Sequence, residues 1–233
     1  MRYTNSELVS YTNLTNNKSN GRKYKLTRLT PHVFVGQVTV KRGVDYFMTS
    51  DQSSCNYVID KDGKIGLSVE EKNRAWTSSS SDNDNRAITF EIASNTKHPY
   101  EITDAAYSAM IDLMVDICKR YGKKRLLWLG SKEATIAYAV KDDELVLTAH
   151  RWFAPKACPG DYLYNRYGEI AETVTKRLSG SVKPLTTEQA WAVEKGLFTG
   201  YGNGEYGWDD NLTRGQAAIL FKRFYDLMQK KVG

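Results

Sequence analysis

Ala87-Ile-Thr-Phe-Glu-Ile-Ala93 is followed, after a polar spacer, by TDAAYSAMIDLMVDICKRYG at residues 103–122. The first segment is short, apolar and β-prone, as a central buried strand reads. Glu91 is its only charge. The second segment places apolar residues at 107, 110, 111, 114, 117, 118 and 121, the i, i+3, i+4 spacing of an amphipathic helix. Thr103 can cap that helix, and Gly122 stands where a C′ glycine belongs. A buried strand feeding a helix of this kind is a building unit of an α/β domain.

Working outward, residues 26–34 alternate towards His32, and Cys55 to Ile59 reads as a strand. Asp62-Gly63 is a tight-turn signal, so Ile65 to Val69 is the expected return strand. Leu126 to Leu129 reads as a short buried strand, and Leu145 to Ala149 as a strand that delivers His150. A second helix is expected over about 161–178, with Leu163, Tyr167, Ile170, Ala171 and Val174 on one face. Residues 1–25 read as a polar arm draped on the main domain, Ser78 to Asn85 as a polar loop, and 131–144 as a hairpin or short insertion. Strands mixed with flanking helices make the main domain, residues 1–178, α/β. Residues 179–187 read as a linker. Residues 188–233 then hold two short helices around a glycine-rich turn. The second of these opens on the capping box Thr213-Arg-Gly-Gln216 and carries the apolar stripe Ala217, Leu220, Phe221, Phe224, Met228.

The chain has 233 residues, 41% hydrophobic and 26% charged, with a net charge of +6. That excess suits an acidic polymer, whether nucleic acid, anionic membrane or cell wall, without choosing among them. Cys55, Cys118 and Cys158 are too few and too scattered for a disulfide framework and point to a reducing compartment. The N-terminal MRYTNSELVS has no apolar h-region, so no secretory signal is expected. No apolar run approaches the roughly 18 residues of a membrane span.

There are three histidines, His32, His98 and His150, and Cys158 follows His150 by eight residues. Two imidazoles and a thiolate suit Zn²⁺, and three protein ligands leave a fourth position for water, the mark of a catalytic site. Spacing alone is weak support, because a few scattered His and Cys residues supply such a trio in many proteins. His98, in Lys-His-Pro-Tyr, reads as an ordinary loop residue, and Cys118 as a small core hydrophobe. Cys55 fits either the core or a cleft wall. Glu91 is open to two readings: a sheet-face residue turned to solvent, or a functional carboxylate. Lys156 would by default be a surface lysine.

Several segments, taken in order, resemble the zinc amidase family that includes phage lysozyme-type amidases and peptidoglycan recognition proteins. They are His-Val-Phe-Val at 32–35, Cys-Asn-Tyr-Val-Ile-Asp-Lys-Asp-Gly at 55–63, Arg-Ala-Trp-Thr at 74–77, Asn-Arg-Ala-Ile-Thr-Phe-Glu-Ile-Ala at 85–93, and Thr-Ala-His-Arg-Trp-Phe-Ala-Pro-Lys-Ala-Cys-Pro-Gly at 148–160. The last is the most specific. The resemblance covers about residues 10–178 and implies a central mixed β-sheet flanked by helices. It implies that His32, His150 and Cys158 bind zinc, that Glu91 is the general base, and that Lys156 faces the scissile carbonyl. Some family members use a Tyr where this chain has Cys55, which leaves more of the work to Glu91. Asn56, Trp76, Asn85 and Trp152 are the expected substrate contacts. The implied reaction cuts the amide between N-acetylmuramic acid and L-alanine in peptidoglycan. The chain would be a phage or prophage endolysin, made in the host cytoplasm without a signal peptide and acting on the wall after release, with no nucleic-acid partner. The alternative is a peptidoglycan-binding protein without catalysis. Such proteins typically lose the Cys ligand, which is present here. A regulator of a viral polymerase and a zinc hydrolase of another amide are more distant rivals.

Residues 188–233 resemble one S-layer homology motif, although Gly215-Gln216 stands where that family has two other residues. These motifs usually come in threes and anchor proteins to secondary cell-wall polymers. A lone copy of about 50 residues buries little surface, so wall binding and homodimerisation both fit.

Overall fold

The computed structural model describes residues 3–179, 185–200, 206, 208 and 212–229. The chain divides into two compact units, Met1–Ser181 and Val182–Gly233. The division falls within the stretch expected to be a linker, of which residues 180–184 lie outside the described residues.

The first unit is built on a seven-stranded mixed sheet. Its strands are β1 (Val9–Thr12), β3 (Arg28–Val35), β4 (Tyr57–Ile59), β5 (Ile65–Leu67), β7 (Ala87–Ser94), β8 (Arg125–Leu127) and β9 (Glu144–Leu147), in the order β1-β5-β4-β7-β3-β9-β8. Only the β4–β5 pair is antiparallel. Its turn runs through Gly63, whose φ of +82° belongs to the left-handed region that Asp-Gly favours. A two-stranded ribbon of β2 (Lys18–Ser19) and β6 (Arg74–Ala75) lies beside it. The two longest strands, β3 and β7, are paired in register over eight residues at the centre of the sheet. This register places His32 opposite Glu91, so their side chains emerge on the same face.

The helices of this unit are α1 (Val40–Thr49), α2 (Ser81–Arg86), α3 (Asp104–Arg120), α4 (Lys132–Ala137), α5 (Gly160–Tyr164) and α6 (Tyr167–Leu178). α3 forms as its sequence predicts: Thr103 accepts a hydrogen bond from the Ala106 amide, and Gly122 leaves the helix at φ +65°. Its buried stripe, including Met110, Ile111, Met114, Ile117 and Cys118, packs with Phe90 and Ile92 of β7 and with Ile170 and Val174 of α6 in the main core. Each such side chain contributes about 1.5–3 kcal/mol by leaving water. On the opposite face Val44 and Phe47 of α1 pack against Val58 and Cys55. Val58 sits opposite Glu91 in the sheet. α1 therefore covers the β4–β5 end of the face that carries His32 and Glu91, and the β3–β7 part is left for the site.

The arm at 1–25 lies on the domain, where Val9 to Thr12 adds a parallel edge strand to β5. Three expectations are corrected. The polar loop at 78–85 contains α2, capped by Ser80 on the Asn83 amide with Asp82 and Asp84 in the first turn. The stretch 131–144 forms α4 through a second serine cap, Ser131 on the Ala134 amide, rather than a hairpin. The helix expected over 161–178 is two helices, and the break at Asn165–Arg166 lets Tyr167 turn fully into the core.

A buried polar knot ties the N-terminal segment to the domain. Glu71, with no exposed side-chain surface, receives two bonds from the Arg120 guanidinium and the hydroxyls of Tyr57 and Tyr121. Asn5 accepts from the Glu71 amide. Replacing Glu71 by Ala would leave the largely buried Arg120 with Asp116 as its remaining carboxylate partner and the Tyr57 and Tyr121 hydroxyls without their acceptor, and we expect a loss of about 3 kcal/mol. Urea unfolding of Glu71→Ala against the parent chain checks this.

In the second unit α7 (Thr187–Glu194) starts at a capping box, with Thr186 and Gln189 satisfying each other's backbone amides. α8 (Arg214–Gln229) starts at the expected one, since Thr213 Oγ1 accepts from the Gln216 amide and Gln216 Oε1 from the Thr213 amide. α8 has 16 residues and is not the short helix expected. Most of the glycine-rich turn lies outside the described residues.

Candidate metal and catalytic site

Three chain segments converge at the open part of the sheet face. β3 supplies His32, which is fully buried. The chain leaving β9 turns into a single 3-10 turn, His150–Trp152, and presents His150 at its start. Cys158 comes from the following turn, whose carbonyl accepts the Arg151 amide at 3.0 Å. One donor atom from each of His32, His150 and Cys158 lies within 4.8 Å of the others, and this is the one such His/Cys/carboxylate group among the described residues. Cys158 Sγ is 3.3 Å from His32 Nδ1, and the two imidazole rings are tilted with centroids 5.0 Å apart.

Glu91 joins them across the β3–β7 register: its Oε1 is 3.9 Å from His32 Nδ1 and its side chain is 17% exposed. The reading of Glu91 as a sheet-face residue turned to solvent is therefore set aside. Burial pushes its carboxyl up to about 8. Burial holds His32 well below the ordinary imidazole value, with His150 adding to the effect. His150 is lowered by burial and then by the Lys156 ammonium, which places that exposed lysine within electrostatic reach of the site. Burial, followed by Glu91, raises the Cys158 thiol.

The remaining predicted residues divide. Trp152 lies in the same 3-10 turn as His150, two residues on. It is half-buried, stacks on Trp128 at 5.3 Å with planes 13° apart, and donates its indole N–H to Tyr164. Trp76 is half-buried and bonds Ser19 at 3.1 Å. Asn56 and Asn85 are buried, and their amides serve the backbone: Asn56 bridges Val69 and Thr89, and Asn85 bridges Lys23 and Ser81. Cys55 is a core residue at the foot of α1.

Sequence reasoning missed Ser79, whose Oγ lies 3.2 Å from His150 Nε2 and whose φ of +59° is unusual outside glycine. A run of four serines gives no sign of which one reaches the site. His98 lies in a loop, as expected, with its Nε2 2.7 Å from Asp161 Oδ2.

The sequence profile of the family described as N-acetylmuramoyl-L-alanine amidase matches residues 5–161. The chain belongs to this family. By that membership it is a peptidoglycan amidase, and the matched stretch holds every element of the site. The profile described as S-layer homology domain matches residues 190–218 of the amidase's second unit. No curated protein matches it in sequence. Among solved structures it is similar to a mutant of PlyL, at 17% identity and a TM-score of 0.51, over 71% of this chain and 97% of that one. It is also similar to a mutant endolysin from Bacillus subtilis, at 15% identity and a TM-score of 0.47, over 71% and 99%. A third is the endolysin amidase LysCS from Clostridium intestinale URNW, at 13% identity and a TM-score of 0.46, over 73% and 97%. The amidase shares the fold of PlyL.

Proposed function

We propose that this amidase is zinc-dependent and hydrolyses the bond between N-acetylmuramic acid and L-alanine, with His32, His150 and Cys158 as the metal ligands. The observation that carries the reading is the charge balance of the site. Two imidazoles held neutral, a thiol and a carboxyl all converge within a few ångströms. His32 also keeps a buried Nε2 with no hydrogen-bond partner. Such a group of electron-pair donors is costly to bury without a cation among them. Nitrogen and sulfur donors in a set of three suit zinc with one position open.

Zinc held there would supply Lewis-acid polarisation of the scissile carbonyl and lower the pKa of a water. Glu91, one strand from His32, is placed to take a proton from the attacking water and return it to the leaving alanine amine. Its raised pKa suits a group that must both accept and release a proton near neutral pH. The Lys156 ammonium offsets the negative charge that develops on the carbonyl oxygen. Trp152, supported by Trp128, shapes the wall that positions the sugar or peptide. Replacing Lys156 by Ala is expected to lower kcat about 10²-fold with a small change in KM, as read by release of labelled fragments from purified walls.

For the second unit we infer binding to a cell-wall polymer, which would hold the enzyme on its substrate. The sequence match over residues 190–218 supports this role. The lytic, endolysin-like role is proposed on the same two grounds, an amidase domain joined to a wall-binding one. Mass spectrometry of digested walls, with and without chelator, tests the main proposal. New L-alanine amines paired with free muramic-acid lactyl ends are expected only without chelator, and zinc binding with no such ends would leave a binding protein.

A further inference from the structure

The two proposed ligands on the β9 side, His150 and Cys158, come from loop backbone with no strand to hold it. One residue bridges them. Arg151 follows His150 directly, and its backbone N–H donates to the Cys158 carbonyl at 3.0 Å. Its guanidinium donates from Nη2 to the Ala157 carbonyl at 2.6 Å and from Nη1 to Asp161 Oδ1 at 2.9 Å. The guanidinium also lies over the Tyr164 ring, 4.6 Å from its centroid. Asp161 is held in turn on its other oxygen by His98 Nε2 at 2.7 Å. The segment carrying His98 is fastened to the same turn, since the Tyr162 amide donates to the Pro99 carbonyl at 3.1 Å. Gly160 permits that approach: a Cβ there would meet the Pro99 oxygen at 2.8 Å, and its φ is +79°.

We propose that Arg151 is a positioning residue that fixes the spacing of His150 and Cys158, with Asp161 and His98 locking its guanidinium. The inference rests on the zinc reading above. Exposed ion pairs alone contribute little, and His98 is 68% exposed. The value of this network is geometric, because a planar fork bonds a carbonyl and a carboxylate at once in fixed directions, which an ammonium cannot do. Partners that orient metal ligands typically carry a 10- to 100-fold effect on metal affinity.

The test uses the full chain loaded with Co²⁺, with affinity read by competition against a chromophoric chelator and geometry by the sulfur-to-cobalt charge-transfer band. Arg151→Lys is expected to weaken Co²⁺ binding at least tenfold and to shift or broaden that band. Its metal-free melting temperature should stay near that of the parent. Asp161→Asn and His98→Gln should weaken binding in the same direction by smaller factors. Parent-like affinity and band for Arg151→Lys would overturn the proposal. Should Arg151→Lys not fold, the exposed His98→Gln decides: weaker binding supports the lock, and unchanged binding overturns it. A parent chain that binds no Co²⁺, or binds it equally well as Cys158→Ala, sinks the zinc reading itself. A parent that binds through Cys158 while Arg151→Lys matches it sinks only the positioning role.

Discussion

Cys158→Ala should abolish stoichiometric zinc binding and lower kcat/KM on purified walls by at least about 10³-fold, equivalent to ~4 kcal/mol of lost transition-state stabilisation. The substitution removes the only anionic donor among the three proposed ligands and leaves two neutral imidazoles, which hold zinc far less tightly. The fold should survive. Cys158 is only packed against the edge of the main core, and the turn around it is held by the Arg151 and Gly160 backbone contacts rather than by the sulfur. The chelated parent and the variant should therefore melt within a few degrees of each other, while zinc raises the melting temperature of the parent alone. Calorimetric titration with Zn²⁺ measures the first part and wall digestion the second. Tight one-to-one zinc binding by Cys158→Ala would remove the sulfur from the ligand set, and with it the geometry on which the mechanism rests.

Much of this arrangement was legible in the sequence. The strand at 87–93 is a short apolar run and the helix at 103–122 carries a 3.6-residue periodicity, and both formed with nearly the predicted ends. The segment at 148–160, through its resemblance to a known family, named two of the three clustered side chains. Other features depend on information that is not local. α2 and α4 begin at single serine caps inside polar stretches, where a one-residue signal is easily read as loop. Val9 and Tyr11 look like part of a polar arm until β5 offers an edge to pair with. Most telling is Glu91. Its chemistry was suspected from a charge in an apolar strand. Its place beside His32 follows from a parallel register between segments some sixty residues apart, which no window of sequence contains. The His98–Asp161–Arg151 chain is hidden for the same reason, since Lys-His-Pro-Tyr gives no hint of a carboxylate that lies 63 residues further on.

Glu91→Gln separates the proton-transfer role from metal holding and should give the second large effect. The amide preserves shape and keeps its oxygen near His32, so zinc affinity is expected to change little. It cannot accept a proton, so kcat should fall by about 10²–10⁴-fold with KM nearly constant. A second readout concerns stability in the chelated protein. Burial raises the Glu91 carboxyl from 4.5 to about 8 in the folded state. A carboxyl with a raised folded value binds its proton more tightly in the folded chain than in the unfolded one. Its favourable contribution is complete below about pH 4.5 and is lost as pH climbs through 8. Glutamine stays neutral throughout and escapes that loss. The melting temperature of Glu91→Gln minus that of the parent should therefore be small at pH 5 and grow more positive towards pH 9. Zinc should shrink the difference, because a nearby cation favours the ionised carboxylate in the parent. A difference flat across this range would mean that Glu91 is not desolvated in the folded enzyme. Undiminished turnover in Glu91→Gln would take the general-base role away from Glu91.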